Sequence, residues 1–146
     1  MKTLAIACLL LLSQVAFAED KMANPMASKE KDSFTVIHAA DLATMMKSKK
    51  DSLYVFDANT DETRKKEGVI PGATILASHD KYDVAKVLPP NKDASLVFYC
   101  ANTQCSASHS AANRASKAGY KHVSVMSDGI QGWKKAGNPS PRLGAS

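Results

Sequence analysis

Short apolar runs alternate with polar, helix-spaced segments through the middle of this 146-residue chain. "FTVIH" (34–38), "LYVFD" (53–57), "ATILA" (73–77), "SLVFYC" (95–100) and "HVSVM" (122–126) are rich in β-branched and aromatic side chains. Their brevity and continuous hydrophobicity predict strands of a largely parallel sheet covered on both faces. In "AADLATMMKSKK" (39–50), Leu42, Met45 and Met46 recur at helical spacing. "SASHSAANRASKAG" (106–119) places Ala107, Ala111, Ala115 and Ala118 on one helical face, small enough to lie close against a sheet, with Gly119 as its stop. Pro71-Gly72 marks a turn into the third strand. Strands alternating with helices argue for one α/β domain over residues 34–139.

The ends read differently. Residues 1–18 carry one basic residue, Lys2, then an apolar run from Leu4 to Leu12, and Ala16 and Ala18 flank Phe17 before Glu19. That pattern predicts a signal peptide cut after Ala18, and hence export to a bacterial periplasm or beyond the cell. The apolar run is too short to span a bilayer comfortably, so no membrane anchor is expected. Residues 19–33, polar and interrupted by Pro25, predict a flexible leader, and 140–146 a flexible tail. The formal net charge of +5 is scattered over groups such as Lys47-Lys49-Lys50 and Arg64-Lys65-Lys66 with few aromatics between them. Solvated surface is the expectation, and no nucleic-acid partner.

Cleavage removes Cys8 and leaves Cys100 and Cys105, both in "VFYCANTQCSASH" (97–109). In parallel α/β sheets, ligands gather at the carboxyl ends of the strands. Cys100 ends a strand there, and the loop that follows crosses the start of a helix, whose unpaired N–H groups and dipole favour a thiolate. Cys100 is therefore the expected nucleophile. The backbone of Ala101, Asn102, Thr103, Gln104 and Cys105 is the expected cradle, with Ser106 beside it in a helix-capping position. Cys105 can serve as a resolving thiol or as half of a structural disulfide. Cys100, Cys105 and His109 could instead hold a soft metal such as copper or zinc, although the paired C-x-x-C spacing of a strong zinc site is missing. His38, His79 and His122 have no motif context, and Trp133 is expected in the core near the final helix.

"GVIPGA" (68–73), the strand-end cysteine with its short loop, "AGYKHVSVM" (118–126) and "DGIQGWKKAGNP" (128–139) occur in an order that resembles the single-domain rhodanese-like sulfurtransferases. The resemblance implies a three-layer domain, a central parallel sheet with helices on both faces. It implies that Cys100 carries a persulfide, taking sulfur from a small donor and passing it to a protein thiol or to cyanide. Cys105 would then resolve the persulfide, leaving a disulfide for an exported thiol reductant. No metal, nucleotide or flavin cofactor is implied. The loop has the shorter length associated with sulfur transfer; phosphatase and arsenate-reductase relatives use one residue more. Many family members have arginine where this chain has Cys105 and Asn59, and histidine where it has Val69, so weak thiosulfate:cyanide activity is expected. Asp57 and Asn59 are supporting residues at the same sheet edge, since a carboxylate touching a persulfide would oppose its charge. A rhodanese-like binding module without turnover is a further alternative.

Overall fold

The computed structural model describes residues 33–49 and 51–143. In chain order the elements are β1 (Thr35–Ile37), α1 (Ala39–Ser48), β2 (Leu53–Asp57), α2 (Asp61–Glu67), β3 (Thr74–Ile75), α3 (Val84–Val87), β4 (Ser95–Tyr99), α4 (Ala107–Lys117), β5 (His122–Met126) and α5 (Gly129–Lys135). The strands form one sheet in the order β1-β5-β4-β2-β3, and every adjacent pair is parallel. This is the expected α/β fold.

β4 lies in the middle, and all five of its residues are in register with β2 on one side and β5 on the other. Side chains alternate between faces along a strand. Leu96, Phe98 and Cys100 therefore pack with Phe56, Val125 and the alanines of α4. Val97 and Tyr99 pack on the opposite face with Leu42 of α1 and Ile130 and Trp133 of α5. Burial of both faces is the reason the strands read as unbroken apolar runs.

α4 lies against the sheet through Ser108, Ala111, Ala112 and Ala115; Ala107 and Ala118, expected on the same stripe, sit half-buried at its rim. The helix ends as the sequence predicts. Gly119 takes φ +90°, its N–H reaches the Ser116 carbonyl, and the Tyr120 N–H reaches the Ala115 carbonyl, together satisfying the last turn. Trp133 belongs to the final helix itself, its ring buried and its Nε1–H donated to the Pro139 carbonyl at 2.8 Å.

α2 corrects one expectation. "DETRKKE" has no apolar stripe, and Arg64 was read with Lys65 and Lys66 as solvated; both lysines are exposed, but Arg64 is buried. Gly68, at φ +82°, ends α2 where a Cβ would collide with the Ser140 carbonyl. The segment expected as a tail is thus anchored at its start, with the Val69 N–H donated to the Pro141 carbonyl at 3.0 Å. The expected signal and leader, apart from Ser33, lie outside the described residues, as do residues 144–146. No helix among the described residues is long and apolar enough to cross a membrane.

Candidate functional site

The cysteine loop is bolted to α5. The first N–H groups of a helix have no partners within it, and here Ile130 N–H donates to the Cys100 carbonyl at 2.8 Å and Gln131 N–H to the Ala101 carbonyl at 3.0 Å. So close an approach requires Gly129. Its φ is +63°, and a Cβ would run into the Ala101 carbonyl and the Asn102 nitrogen. "DGIQGW" is therefore the second wall of the site.

Cys100, only 1% exposed, is joined by a disulfide to the half-buried Cys105, with Cα atoms 6.2 Å apart. The Cys100 Sγ lies 3.2 Å from the Cys105 carbonyl oxygen and 3.3 Å from Oγ of the buried Ser108. Gln104 N–H donates to Asn102 Oδ1 at 3.1 Å, Cys105 N–H donates to the Asn102 carbonyl at 3.1 Å, and among the described residues no loop N–H donates to Cys100. Ala101 and Asn102 are half-buried; Thr103 and Gln104 are exposed. Ser106 occupies the N-cap of α4, but its side chain makes no capping bond, contrary to expectation. His109 does not join the sulfurs as a third ligand; its ring lies on Phe34, centroids 5.3 Å apart. No group of three His, Cys, Asp or Glu side chains among the described residues is placed to hold a metal.

Asp57 ends β2 on the face opposite Cys100, fully buried. Its Oδ1 accepts from Asn59 N–H at 2.7 Å and Arg64 Nε at 3.2 Å. Its Oδ2 accepts from the Tyr99 hydroxyl at 2.6 Å. The Tyr99 oxygen in turn accepts from Ile70 N–H at 3.1 Å, and Arg64 also donates to the Leu76 carbonyl and to Asp61. Burial, then the Asp57 carboxylate, push the Tyr99 phenol far above its ordinary range. Asp57 thus braces the sheet edge from behind. Asn59 is buried beside it, and its Nδ2 has no partner among the described residues.

An open cleft of about 630 Å³ lies beside the loop, lined by His38, Asn102, Thr103, Asp128, Gln131 and Lys135 among others. His38 Nδ1 and Asp128 Oδ1 are 3.0 Å apart, and Asp128 Oδ2 accepts from Ala39 N–H at 2.8 Å. The hydrogen bond to Asp128 and its charge raise the His38 pKa above 6.5. Burial alone would raise the Asp128 pKa, but the Ala39 N–H and His38 more than offset it and hold the carboxyl below its ordinary value. Sequence reasoning left His38 unassigned, because its partner is 90 positions away; the sole local signal was Asp128 opening "DGIQGW".

A family model described as the rhodanese-like domain matches residues 38–136. No curated protein matched. Among solved structures, a Bacillus halodurans protein is 23% identical, with a TM-score of 0.63, covering 75% of this chain and 77% of its own. A Rhodopseudomonas palustris protein described as a possible tyrosine phosphatase is 24% identical, with a TM-score of 0.61 and coverages of 75% and 86%. The polysulfide-sulfur transferase of Wolinella succinogenes is 13% identical, with a TM-score of 0.61 and coverages of 77% and 82%. At these identities the likeness is one of fold.

Proposed function

The chain belongs to the rhodanese-like domain family, and from that membership we propose that it is an exported sulfurtransferase working through a persulfide on Cys100, with Cys105 as resolving thiol. The observation that carries this reading is the meeting of the two sulfurs at the carboxyl end of the central strand. In the reduced protein the Cys100 thiolate attacks the sulfane sulfur of a small donor; the donor's remaining thiolate leaves, and Cys100–S–S⁻ remains. The backbone of Ala101, Asn102, Thr103 and Gln104, with Ser106, holds the outer sulfur once the bridge is open. The persulfide either passes that sulfur to a protein thiol or is attacked at the Cys100 sulfur by Cys105. The latter step releases hydrosulfide and forms the Cys100–Cys105 disulfide, which an exported thiol reductant reopens.

A polysulfide-type donor fits this chemistry, in line with the Wolinella sulfur transferase of the same fold. Oxyanion chemistry of the phosphatase type is disfavoured, since the loop from Cys100 to Cys105 is one residue shorter than the phosphatase relatives use and suits a larger oxyanion poorly. Intact mass after incubation of reduced protein with polysulfide tests the reading. One added sulfur, lost on reduction, or the loss of two hydrogens supports it; no change in mass overturns it.

A further inference from the structure

We propose that Ser108 is a further catalytic residue. Its buried hydroxyl donates to the Cys100 sulfur, keeps that sulfur ionised in the reduced protein, and biases the persulfide toward transfer rather than release as hydrosulfide. The inference deepens the proposed function and rests on it.

Burial sets the problem. Cys100 is 1% exposed, and withdrawing a thiolate from water raises its pKa. Its sulfur lies 3.2 Å from the Cys105 carbonyl oxygen, an acceptor that can take a proton from a thiol but repels a thiolate. Among the described residues no loop N–H donates to it, so ionisation needs another donor. Ser108 supplies one. It stands on the sheet-facing stripe of α4 with Ala111, Ala112 and Ala115, 2% exposed, where a further alanine would satisfy the packing. A buried hydroxyl needs a partner, and this one has the Cys100 Sγ at 3.3 Å. The bridged sulfur carries no proton, so the hydroxyl is the donor. Neither side of the contact depends on the bridge. Cys100 is held through its carbonyl by the Ile130 N–H, and Ser108 by the packing of α4 on the sheet.

The bias follows from which sulfur leaves. In transfer, a thiolate or cyanide acceptor attacks the outer sulfur, the sulfur–sulfur bond breaks, and Cys100 keeps the electron pair as a thiolate. Ser108 stabilises that leaving group, and a more stable thiolate leaves faster. In resolution, Cys105 attacks the Cys100 sulfur, the Cys105 thiol proton ends on the outer sulfur, and hydrosulfide leaves as the disulfide forms. There the Cys100 sulfur exchanges one bond for another and never carries the charge, so the hydroxyl gives little help.

The test uses the reduced full-length protein and Ser108→Ala, with Ser110→Ala, at an exposed position of the same helix, as control. Alkylation of Cys100 by iodoacetamide, localised by mass spectrometry, should have its pH midpoint raised by about one unit or more in Ser108→Ala. The variant should then react about tenfold more slowly on the acid side of the wild-type midpoint and nearly equally at high pH. Ser110→Ala should match wild type. After loading with polysulfide and removal of the donor, cyanide should draw less thiocyanate relative to hydrosulfide from Ser108→Ala than from wild type. An unmoved midpoint, or a rate lowered by the same factor at every pH as looser packing would do, overturns the donor role. An unmoved product ratio overturns the bias. Intact mass of the loaded wild type separates the two ideas: a persulfide with an unmoved Ser108→Ala midpoint removes Ser108 alone, whereas a missing persulfide removes the sulfur-transfer reading.

Discussion

Tyr99 donates its hydroxyl proton to Oδ2 of Asp57 at 2.6 Å, from the residue directly opposite on the neighbouring strand, with both side chains fully buried. The bond ties the carboxyl ends of β2 and β4 together on the face away from Cys100. Arg64, reaching in from α2 to Asp57 and the Leu76 carbonyl, ties β2 to the chain beyond β3.

Tyr99→Phe would leave a buried carboxylate oxygen and the Ile70 N–H without a partner. The expected loss is about 1–3 kcal/mol. Arg64→Met, which strands a buried carboxylate, should cost more, about 3–5 kcal/mol. Urea unfolding followed by Trp133 fluorescence measures both, and the larger effect should belong to Arg64.

Gly129→Ala should damage the site as well as the fold, because the new methyl group meets the Ala101 carbonyl. Gly119→Ala is the control. Its φ is also positive, but nothing lies within 4 Å of the added carbon, so it should cost about 1 kcal/mol and leave the cysteines' reactivity unchanged. Alkylation rates of reduced Cys100, compared with the loss of stability, separate the two variants.

Stability should depend on pH through His38 and Asp128. A raised histidine pKa gives stability that is complete below the ordinary value of 6.5 and fades as pH climbs through the folded value. A lowered carboxyl pKa gives stability that is present above 3.8 and lost as pH falls through the folded value. The difference in Tm between wild type and His38→Gln should therefore be largest between those limits and shrink on either side. Differential scanning calorimetry across that range checks the sign.

Sulfur loading should separate the two cysteines. Cys105→Ser should accumulate the Cys100 persulfide, because the resolving step is gone, and Cys100→Ser should take up no sulfur there. Thiosulfate:cyanide turnover of the wild type should be weak, since Cys105 and Asn59 replace cationic side chains of many relatives. Mass spectrometry and a thiocyanate assay read these outcomes directly.

The five strands, α1 and α4 were legible because each carries its own periodicity: unbroken apolar runs for a sheet buried on both faces, and helical spacing in "AADLATMMKSKK" and "SASHSAANRASKAG". Cys100 was placed at a strand end by the same local logic. α2 was not legible, because "DETRKKE" has no apolar face; its Thr60 cap and the Arg64 bonds to Asp57 support it instead. The Ser106 cap was misread because a suitable residue at a helix start need not make the bond.

By itself, the sequence determined what each short segment would become and which edge of the sheet would hold the cysteines, since periodicity and turn chemistry act within a few residues. Tertiary structure decided the partners: Tyr99 with Asp57, His38 with Asp128, and α5 amides with the Cys100 loop. These pairs lie 30 to 90 positions apart. Their geometry depends on strand order and on which face each side chain takes, and no local pattern encodes that.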